Sequence, residues 1–523
     1  MPAQGPDGAI VRGWADREVA HQGTRQGVAK DRLSRLVLLV LLSFVLAPAR
    51  AQFYNGSIQE YGKNRVQYQD FLWQYYRFQD IETYFYKGGR DVARYVSISG
   101  HRNKREMERF FDYTLDDRIQ FLVYNSLGDF RQSNVGLGVD DRYNIGGVAR
   151  IVGTKVFVYN EGDHELLERQ VRSGIAEMMI DQMMYGGNWR QVIKNSTLLN
   201  LPEWFTKGLV AYCAGPWDAR SAGRIRDGVL GTRFKRFNRL EGDDAALAGL
   251  IVWTYVAETY GVSVIPNILY MTRVSRNPEN GFKYVLGTGL QQLTQECMDH
   301  YRAKFMEEDR LRADRDLEEL KVRTRKARTY AEFKLSPDGR YAAWTSNESG
   351  QYKVWLHDRT TGKTRRIAKG EKKLDRIIDR SWPVLAWHPT SRALTWTTEK
   401  KGELYLTTYT LDDRSRTRKP VFMLEKILSM AYGSDGQTMV FSGVLEGRTD
   451  LYLYHVIGNR QDKLTDDQYD DLDPVFTADG TGILFSSDRP DDTLRANADV
   501  RWWRSARDIF RYDLRNRSNV LTR

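Results

Sequence analysis

Four related units follow one another after about residue 331, and this repetition constrains the fold more than any other feature. Each unit has a turn core and runs of alternating apolar and polar residues. The turn cores begin at Ser336, His388, Gly433 and Thr477, which are 52, 45 and 44 residues apart. Asp-Gly pairs favour tight turns, and a repeat of this length with several short strands is typical of propeller blades. The sequence therefore predicts an all-β propeller over residues 331–523, with four blades visible. Four blades are few for this repeat type, so we expect either a truncated sequence or an unclosed propeller.

The preceding part, residues 52–305, mixes strand and helix patterns and is predicted to be an α+β domain. Aromatic and polar residues alternate in 71–89, which favours a strand or a strand pair. Further predicted strands are 119–126 and 155–160. Predicted helices are 91–96, 104–115, a helix from Asp163 to Gly186-Gly187, 202–213, 246–260, 264–272 and 290–310. The mixed-charge segment 306–330 is predicted to be a charged helical linker.

Two neighbouring helices of this domain look like the metal-binding part of a zinc peptidase that has lost its ligands. Such an enzyme needs HExxH on one helix and a glutamate on the next. In LPEWFTKGLVAY (201–212) the glutamate position is Lys207, and an ammonium group cannot ligate a cation. The upstream motif matches either 173–177, from Ser173-Gly174 to Glu177, or 176–180, which keeps only Glu177. Both registers predict no catalytic residue, no metal and no cofactor.

One catalytic alternative stays open. If Glu177 and Lys207 lie close together, a desolvated lysine beside a carboxylate could act as base or nucleophile. We favour a salt bridge that fills a lost metal site. His164-Glu165 opens a HELLE segment whose second histidine position is Glu168, and Glu165 and Glu168 are predicted to complement the helix N-terminus rather than bind metal.

An acidic segment lies between the third and fourth units. It contains Asp466, Asp467, Asp470, Asp471 and Asp473. Carboxylates at this density could bind calcium, but the sequence favours a solvated loop between blades.

The N-terminus resembles an export signal. Lys30, Arg32 and Arg35 precede an unbroken apolar run, 36–47, and Ala49-Arg50-Ala51 forms an A-x-A cleavage site. This pattern predicts a signal peptide with a long n-region over residues 1–51, with an uncleaved anchor as the alternative. We therefore expect an exported protein in the periplasm or cell envelope of a Gram-negative bacterium.

Charge and cysteine content limit the partners. The net charge is +11, but its 79 basic and 68 acidic residues are interspersed. This distribution argues against nucleic acid and allows at most peripheral membrane contact. Cys213 and Cys297 are predicted to be two separate buried thiols rather than one disulfide.

Several segments together resemble a family of exported Bacteroidetes proteins labelled TolB-like translocation proteins. The segments are YGKNRVQYQDFLWQYY (61–76), VYNSLGDFRQSNVG (123–136), MMYGGNW (183–189), LPEWFTKGLVAY, RDGVLGTRFKRFNRLEG (226–242) and IPNILYMTRVSRNPENGFKYVLG (265–287). The resemblance implies a gluzincin-like, zincin-fold domain followed by a TolB-like propeller with WD-type repeats. The chain departs from the catalytic pattern at all three ligand positions, so the resemblance does not imply peptidase activity.

These observations predict a non-catalytic envelope protein that acts as a protein-binding scaffold, a pseudo-peptidase joined to a propeller. Its expected partner is another envelope protein, a peptide or a glycan, in envelope translocation or assembly. A hydrolase with a non-standard site around Glu177 and Lys207 is the alternative.

Overall fold

A computed structural model describes residues 67–133, 149–152, 154–186, 199, 201–231, 233–312, 320, 322, 324–325, 328–373, 379–491, 506–515 and 521–522. All of them belong to one compact unit, Asn55–Arg523. The predicted signal peptide at 1–51 lies outside the described residues.

The part of the chain up to residue 312 is an α+β region built on one five-stranded sheet. Its strands are β1 (Gln74–Phe78), β2 (Ile81–Phe85), β3 (Ile119–Tyr124), β4 (Ala149–Val152) and β5 (Lys155–Tyr159). The strand order is β1-β2-β3-β5-β4, in which β2, β3 and β5 are parallel and both edge strands run antiparallel to their neighbours. The carboxyl ends of the three parallel strands therefore meet at one edge of the sheet.

Helices cover this sheet and then form a helical half. They are α1 (Arg90–Phe111), α2 (Leu127–Phe130), α3 (His164–Tyr185), α4 (Glu203–Ala214), α5 (Ala219–Leu230), α6 (Gly242–Tyr260), α7 (Val264–Ser275), α8 (Pro278–Leu286) and α9 (Leu290–Arg310), with a short 3-10 turn at Phe237–Arg239. Among the described residues, the predicted linker 306–330 is helical only as far as Arg310. No single described helix is long and apolar enough to cross a membrane. The helices α6 and α7 together have sufficient length and apolar composition, but the chain bends by 117° between them.

The structure differs from the sequence predictions in the first strand pair and the first helix of this region. Residues 71–89 do contain a strand pair, but the hairpin turns at Gln79-Asp80, and Gly88-Gly89 lead into α1 instead. The helices predicted at 91–96 and 104–115 are both present, the second as far as Phe111, but they are parts of one continuous helix, α1. Gly100 interrupts the helical pattern in the sequence. In the fold it is required, since a Cβ there would lie 2.8 Å from Phe121 Cε2.

The helix α3 begins and ends as its sequence indicates. The Asp163 carboxylate accepts hydrogen bonds from the backbone N–H groups of Glu165 (2.8 Å) and Leu166 (3.4 Å), which makes it a standard N-cap. The helix ends at Tyr185, and Gly186 follows with a positive φ of 87°. Gly187 lies outside the described residues.

The LPEWFTKGLVAY segment forms α4, and its close packing on α6 explains most of its composition. A Cβ at Gly208 would lie 2.3 Å from Gly249 Cα, so the two helices cross with their backbones nearly touching. Trp204 and Phe205 are fully buried, and Trp253 Nε1 donates to the Phe205 carbonyl at 2.9 Å. The segment is thus a packing motif of the helical core.

The second part of the chain consists of four antiparallel four-stranded sheets, as the repeats predict. Blade one contains β6 (Thr329–Leu335), β7 (Tyr341–Glu348), β8 (Gln351–Asp358) and β9 (Lys363–Gly370). Blade two contains β10 (Leu385–Trp387), β11 (Ala393–Lys400), β12 (Glu403–Thr410) and β13 (Arg416–Val421). Blade three contains β14 (Lys426–Tyr432), β15 (Thr438–Leu445), β16 (Arg448–His455) and β17 (Arg460–Lys463). Blade four contains β18 (Asp471–Phe476), β19 (Gly482–Ser487), β20 (Asp508–Asp513) and β21 (Leu521–Thr522).

The blades form an arc in which the first strands of successive blades pack against each other. Within the described residues, no comparable packing joins β18 back to β6, so this part of the chain shows no closed ring. Apolar side chains accordingly remain exposed on the two outer blades, with Phe333 55%, Leu335 50%, Val475 50% and Ile509 69% exposed.

One contact between the α+β region and the blades is made by the five consecutive residues 160–164, which lead from β5 into α3; Asp91 of α1 makes another, with Arg448 at 2.6 Å. Asn160 Nδ2 donates to the Gly447 carbonyl (3.1 Å), and the Gly162 carbonyl accepts from Thr449 Oγ1 (2.7 Å). The other three side chains form ion pairs: Glu161 with Lys426 (3.1 Å), Asp163 with Arg507 (2.7 Å) and His164 with Asp470 (2.8 Å). Every residue of this connection therefore contacts blade three or blade four.

Candidate functional site

The predicted degenerate positions on α3 do not form a metal centre. Ser173 is fully buried, and its Oγ has no hydrogen-bond partner among the residues that the structure describes. A Cβ at Gly174 would lie 2.3 Å from Val156 Cγ1, so this glycine lets α3 pack closely on β5. Glu177 is half-buried and has an interaction of its own. Serine and glycine in these places serve packing, and neither offers a strong metal ligand.

Lys207 does not form the ion pair with Glu177 that the sequence left open. Its Nζ lies 2.9 Å from Glu203 Oε2, one helical turn earlier on α4. The same carboxylate oxygen accepts from the backbone N–H of Gly242 at 2.8 Å, at the start of α6. Lys207 therefore belongs to a local contact between two helices, and no ion pair of the described residues joins it to α3.

Glu168 has a different role from the predicted one. It is 5% exposed and accepts hydrogen bonds from Tyr95 (2.9 Å), Asn103 (2.7 Å), Arg102 (2.5 Å) and Ser99. Burial alone would raise the pKa of Glu168, but the hydrogen bonds from Ser99 and Asn103 and the charge of Arg102 lower it. The carboxylate thus ties α3 to α1, and the prediction that it complements the helix N-terminus is wrong.

The cysteines are two separate buried thiols, as predicted. Burial raises the pKa of Cys213 to about 12, and Cys297 Sγ contacts the Ile251 carbonyl at 3.7 Å. A thiol with so high a pKa is not a nucleophile at neutral pH.

In the acidic segment between blades three and four, Asp467, Asp470 and Asp471 are buried, so the prediction of a solvated loop is wrong for them, whereas Asp466 and Asp473 are exposed. Asp467 and Asp471 are fully buried, and Asp470 is 1% exposed. The chain supplies the counter-charges: Arg489 pairs with Asp467 (3.0 Å) and Asp471 (2.6 Å), and Lys463 pairs with Asp450 (2.8 Å). We call these residues the Arg489 cluster; they are Asp450, Lys463, Asp467, Asp471 and Arg489.

The three aspartates of the Arg489 cluster are also the only group of three metal-ligand side chains within the described residues. Their acceptor atoms face a guanidinium and an ammonium group, while burial raises the pKa of Asp450 to about 7 and that of Asp471 to about 6. An Arg489 that is fully buried between two carboxylates occupies the place that a cation would need. The cluster is thus a structural ion network that stabilises the blade.

A cavity of about 360 Å³ lies between the α+β region and the face of the blades. On one side it is lined by Tyr86, Asn125 and Asp129, which follow the carboxyl ends of β2 and β3. The residues that line the other side come from blades two and three and the segments that lead into them, and they include Asp379, Trp382, Glu399, Glu425 and Lys426. Ligands of α/β sheets commonly bind outside the carboxyl ends of parallel strands, which is where this cavity lies. We call it the interface cavity.

Hydrogen bonds fix the α+β side of the interface cavity. Tyr86 donates its hydroxyl to Asp129 Oδ2 at 2.5 Å and accepts from the Asn125 backbone N–H at 2.8 Å. Asn125 Nδ2 donates to the Lys87 carbonyl at 2.9 Å. The Ser126 hydroxyl caps α2 by accepting from the Asp129 backbone N–H. The side chains that point from this edge are therefore held in place before any ligand arrives.

The carboxyl groups of the interface cavity are poorly compensated. Burial raises the pKa of Glu425 to about 7, and the negative charge of Asp129 adds to this. Burial likewise raises the pKa of Asp129 to about 6, and burial with the charge of Asp379 raises the pKa of Glu399. Lys426 is the buried cation nearby, but its Nζ is engaged by Glu161 at 3.1 Å and Asp379 at 3.9 Å.

Sequence reasoning did not find this cavity. The residues of its two sides are at least 250 positions apart in the sequence, and each carboxylate looks like an ordinary surface residue. One pattern could have pointed to it: a glutamate recurs at or beside the turn between the second and third strands of blades one to three, as Glu348, Glu399 and Glu446. Such repetition places acidic residues on one face of the propeller.

No protein-family model matches the sequence, and no curated protein matches it. Among solved structures, the chain is similar to TolB from Acinetobacter baumannii (TM-score 0.29, 17% identity), with 37% of this chain and 43% of that protein covered. A putative TolB from Agrobacterium tumefaciens gives a TM-score of 0.26 and 14% identity over 37% of this chain and 79% of that one. A putative dipeptidyl aminopeptidase IV from Bacteroides ovatus gives a TM-score of 0.28 and 11% identity, with 39% of this chain and 36% of that one covered. The chain thus spans less than half of the first of these proteins.

These similarities concern TolB-like and other β-propeller proteins and cover little more than a third of the chain. They are too distant to carry an argument on activity. The predicted Bacteroidetes family and the zincin class of the α+β region stay predictions.

Proposed function

We propose that this protein is a non-catalytic binding protein of the cell envelope, in which the α+β region and the propeller present a joint ligand site. The observation that carries the proposal is the interface cavity, whose walls come from both parts of the chain and in which burial and neighbouring acidic groups raise the pKa values of Glu399 and Glu425. Cavities that form between two structural units and hold a few convergent polar groups are common ligand sites.

The state of the lost metal site supports a non-catalytic role. Ser173 and Gly174 are core residues, and the amino group of Lys207 is paired with Glu203 rather than with Glu177. The alternative, a hydrolase around Glu177 and Lys207, therefore lacks the contact that would activate its lysine. The proposed partner is another envelope protein, or a peptide or glycan that it presents.

Metal content and turnover test the non-catalytic role. The full chain is dialysed against buffer with zinc, the bound metal is measured by plasma mass spectrometry, and hydrolysis of casein and a peptide library is followed with and without chelator. We expect far less than one zinc per chain and no chelator-sensitive hydrolysis. Zinc near one per chain, with turnover lost on chelation, would contradict the proposal.

Two substitutions test the hydrolase alternative directly. If any turnover is measured, Glu177→Gln and Lys207→Ala are compared with Lys235→Ala, a control at an exposed lysine. Turnover abolished by the first two changes and kept by the control would favour a hydrolase. The envelope location is tested separately by N-terminal sequencing of the protein from an envelope fraction, where the predicted cleavage gives a chain that starts at Gln52.

A further inference from the structure

Three acceptor groups of the interface cavity receive no hydrogen bond from the described residues. The carboxylate of Glu399 has no hydrogen-bond or ion-pair partner there, and Glu425 Oε2 and Asn125 Oδ1 are buried without a partner. Asn125 is 2% exposed and lines the cavity. A buried acceptor without a donor costs about 1–3 kcal/mol, so the two buried atoms of Glu425 and Asn125, together with the half-buried carboxylate of Glu399, call for a donor-rich group.

The geometry does not suit a bare metal ion. Three or more ligand atoms must lie close together to hold one ion, and the carboxylates of the interface cavity do not form such a group. The residues that carry the unpartnered acceptors instead line a space of about 360 Å³. That volume lies at the small end of ligand pockets and suits a small molecule or one long side chain.

The other lining residues favour an organic cation. Phe71, Tyr86 and Trp382 line the same cavity as the acidic residues, and aromatic rings with carboxylates are the usual surroundings of ammonium and guanidinium groups. The raised pKa values of Asp129 and Glu425 fit this chemistry, because a bound cation favours the ionised form of a buried carboxyl group. Lys426 cannot serve as this cation, because Glu161 and Asp379 engage it.

We propose that the interface cavity binds an organic cation with several N–H donors, a guanidinium or ammonium group, which Glu399, Glu425 and the Asn125 amide oxygen recognise. This inference rests on the proposed binding function and names its ligand class. The cation is either a free small molecule or the basic side chain of a peptide, and the two sources share this chemistry.

Calorimetric titration of the full chain tests the proposal with two cationic probes and one neutral control. Agmatine represents a free cation, N-acetyl-Gly-Arg-Gly amide represents a basic side chain, and the matching citrulline peptide has the same shape without the charge. We expect saturable binding of at least one cationic probe and no binding of the citrulline peptide. Binding of agmatine identifies a small cation as sufficient, and binding of the arginine peptide alone identifies a peptide ligand.

Two isosteric variants locate the binding. Glu399→Gln and Glu425→Gln should each weaken binding of the cationic probe by about 10- to 100-fold, the range for one hydrogen bond to a charged partner. Glu403→Gln, an exposed glutamate of blade two, is the matched control and should leave binding unchanged. Thermal unfolding verifies that each variant is folded.

The proposal is overturned if neither cationic probe binds, if the citrulline peptide binds equally well, or if both glutamate variants bind as the parent does. The comparison of arginine with citrulline uses the unaltered protein, so it stands even if a variant fails to fold. Metal content and peptidase activity are separate measurements. A failure of the cation proposal is therefore distinguishable from a failure of the non-catalytic function.

Discussion

The Arg489 cluster and the interface cavity both bury several carboxyl groups, but they differ in their counter-charges. Each carboxylate of the Arg489 cluster pairs with a cation of the chain, whereas in the cavity Asp379 pairs with Lys426 at 3.9 Å and Glu399 pairs with no cation of the described residues. In the Arg489 cluster, a guanidinium lies 3.0 Å from Asp467 and 2.6 Å from Asp471, and an ammonium lies 2.8 Å from Asp450. In the interface cavity, Glu399 and one oxygen of Glu425 have no such partner among the described residues. Buried acidic residues are thus not equivalent. Where the chain supplies the counter-charge they hold the fold together, and where it does not they indicate a ligand site.

Removal of the guanidinium from the Arg489 cluster should have the largest effect. Arg489→Met keeps most of the side-chain volume but leaves Asp467 and Asp471 buried without their partner. Loss of one partner of a buried pair costs about 3–5 kcal/mol, and we expect a decrease of that size in the free energy of unfolding. Equilibrium unfolding in urea, followed by tryptophan fluorescence, measures it.

The control for this change is Arg460→Met. Arg460 pairs with Asp462 at 2.8 Å, but it is 62% exposed. Its removal should cost less than about 1 kcal/mol, since solvent screens an exposed pair. Equal costs for the two arginines would contradict the view that the Arg489 cluster is held by buried charge pairing.

The carboxyl group of Glu425 should contribute less to the free energy of unfolding than Arg489 does, and its contribution should depend on pH. Its pKa is about 7 in the folded chain against 4.5 for an isolated group, because burial and the charge of Asp129 disfavour the anion. A raised folded-state pKa contributes stability that is complete below pH 4.5 and is lost as the pH rises through about 7. Glutamine does not titrate, so the Glu425→Gln variant should not lose this stability. Between pH 5 and pH 8 its free energy of unfolding should exceed that of the parent by about 1–3 kcal/mol.

The measurement is urea unfolding of parent and variant at several pH values in this window. Other buried groups also titrate in this range. The contribution of Glu425 is therefore obtained as the difference between the free energies of unfolding of parent and variant at each pH. Glu403→Gln should run parallel to the parent, because Glu403 is exposed. A parallel profile for Glu425→Gln as well would show that the carboxyl group of Glu425 is compensated in the folded chain, which would break the contrast with the Arg489 cluster.

The sequence predicted best those features that neighbouring residues determine. The Asp-Gly turns and alternating strands give the four blades, and Asp163 marks the start of α3. The sequence did not predict features that depend on contacts with residues far away along the chain. The residues between the predicted helices 91–96 and 104–115 were not predicted to be helical, and in the continuous α1 Gly100 is required by close packing on Phe121. The aspartates near residue 470 looked solvated because Arg489, their partner, comes from the end of the next strand.

The interface cavity could not be predicted for the same reason. Asn125 and Asp129 follow one strand of the sheet, while Glu399 and Glu425 belong to two different blades. Nothing in any one segment shows that residues 160–164 bring these regions together. The predicted degenerate metal site could be proposed from the sequence, because its positions lie in two short segments, 173–180 and 201–212. Even there, the partner of Lys207 was not predicted.

The smallest expected effect concerns Lys207, and it tests whether this lysine is a local surface contact. Its pair with Glu203 is an i,i+4 contact with the acidic residue first, and the lysine side chain is 19% exposed. Such a pair contributes about 0.3–0.5 kcal/mol, so Lys207→Ala should lower the free energy of unfolding by that amount. Glu203→Ala should cost more, because Glu203 also accepts the backbone N–H of Gly242. In a double-mutant cycle measured by urea unfolding, the coupling between the two residues should equal the small pair contribution. A cost above about 2 kcal/mol for Lys207→Ala would place it with Arg489 among the buried structural charges, and the lysine of α4 would then have a role that its helical pair does not explain.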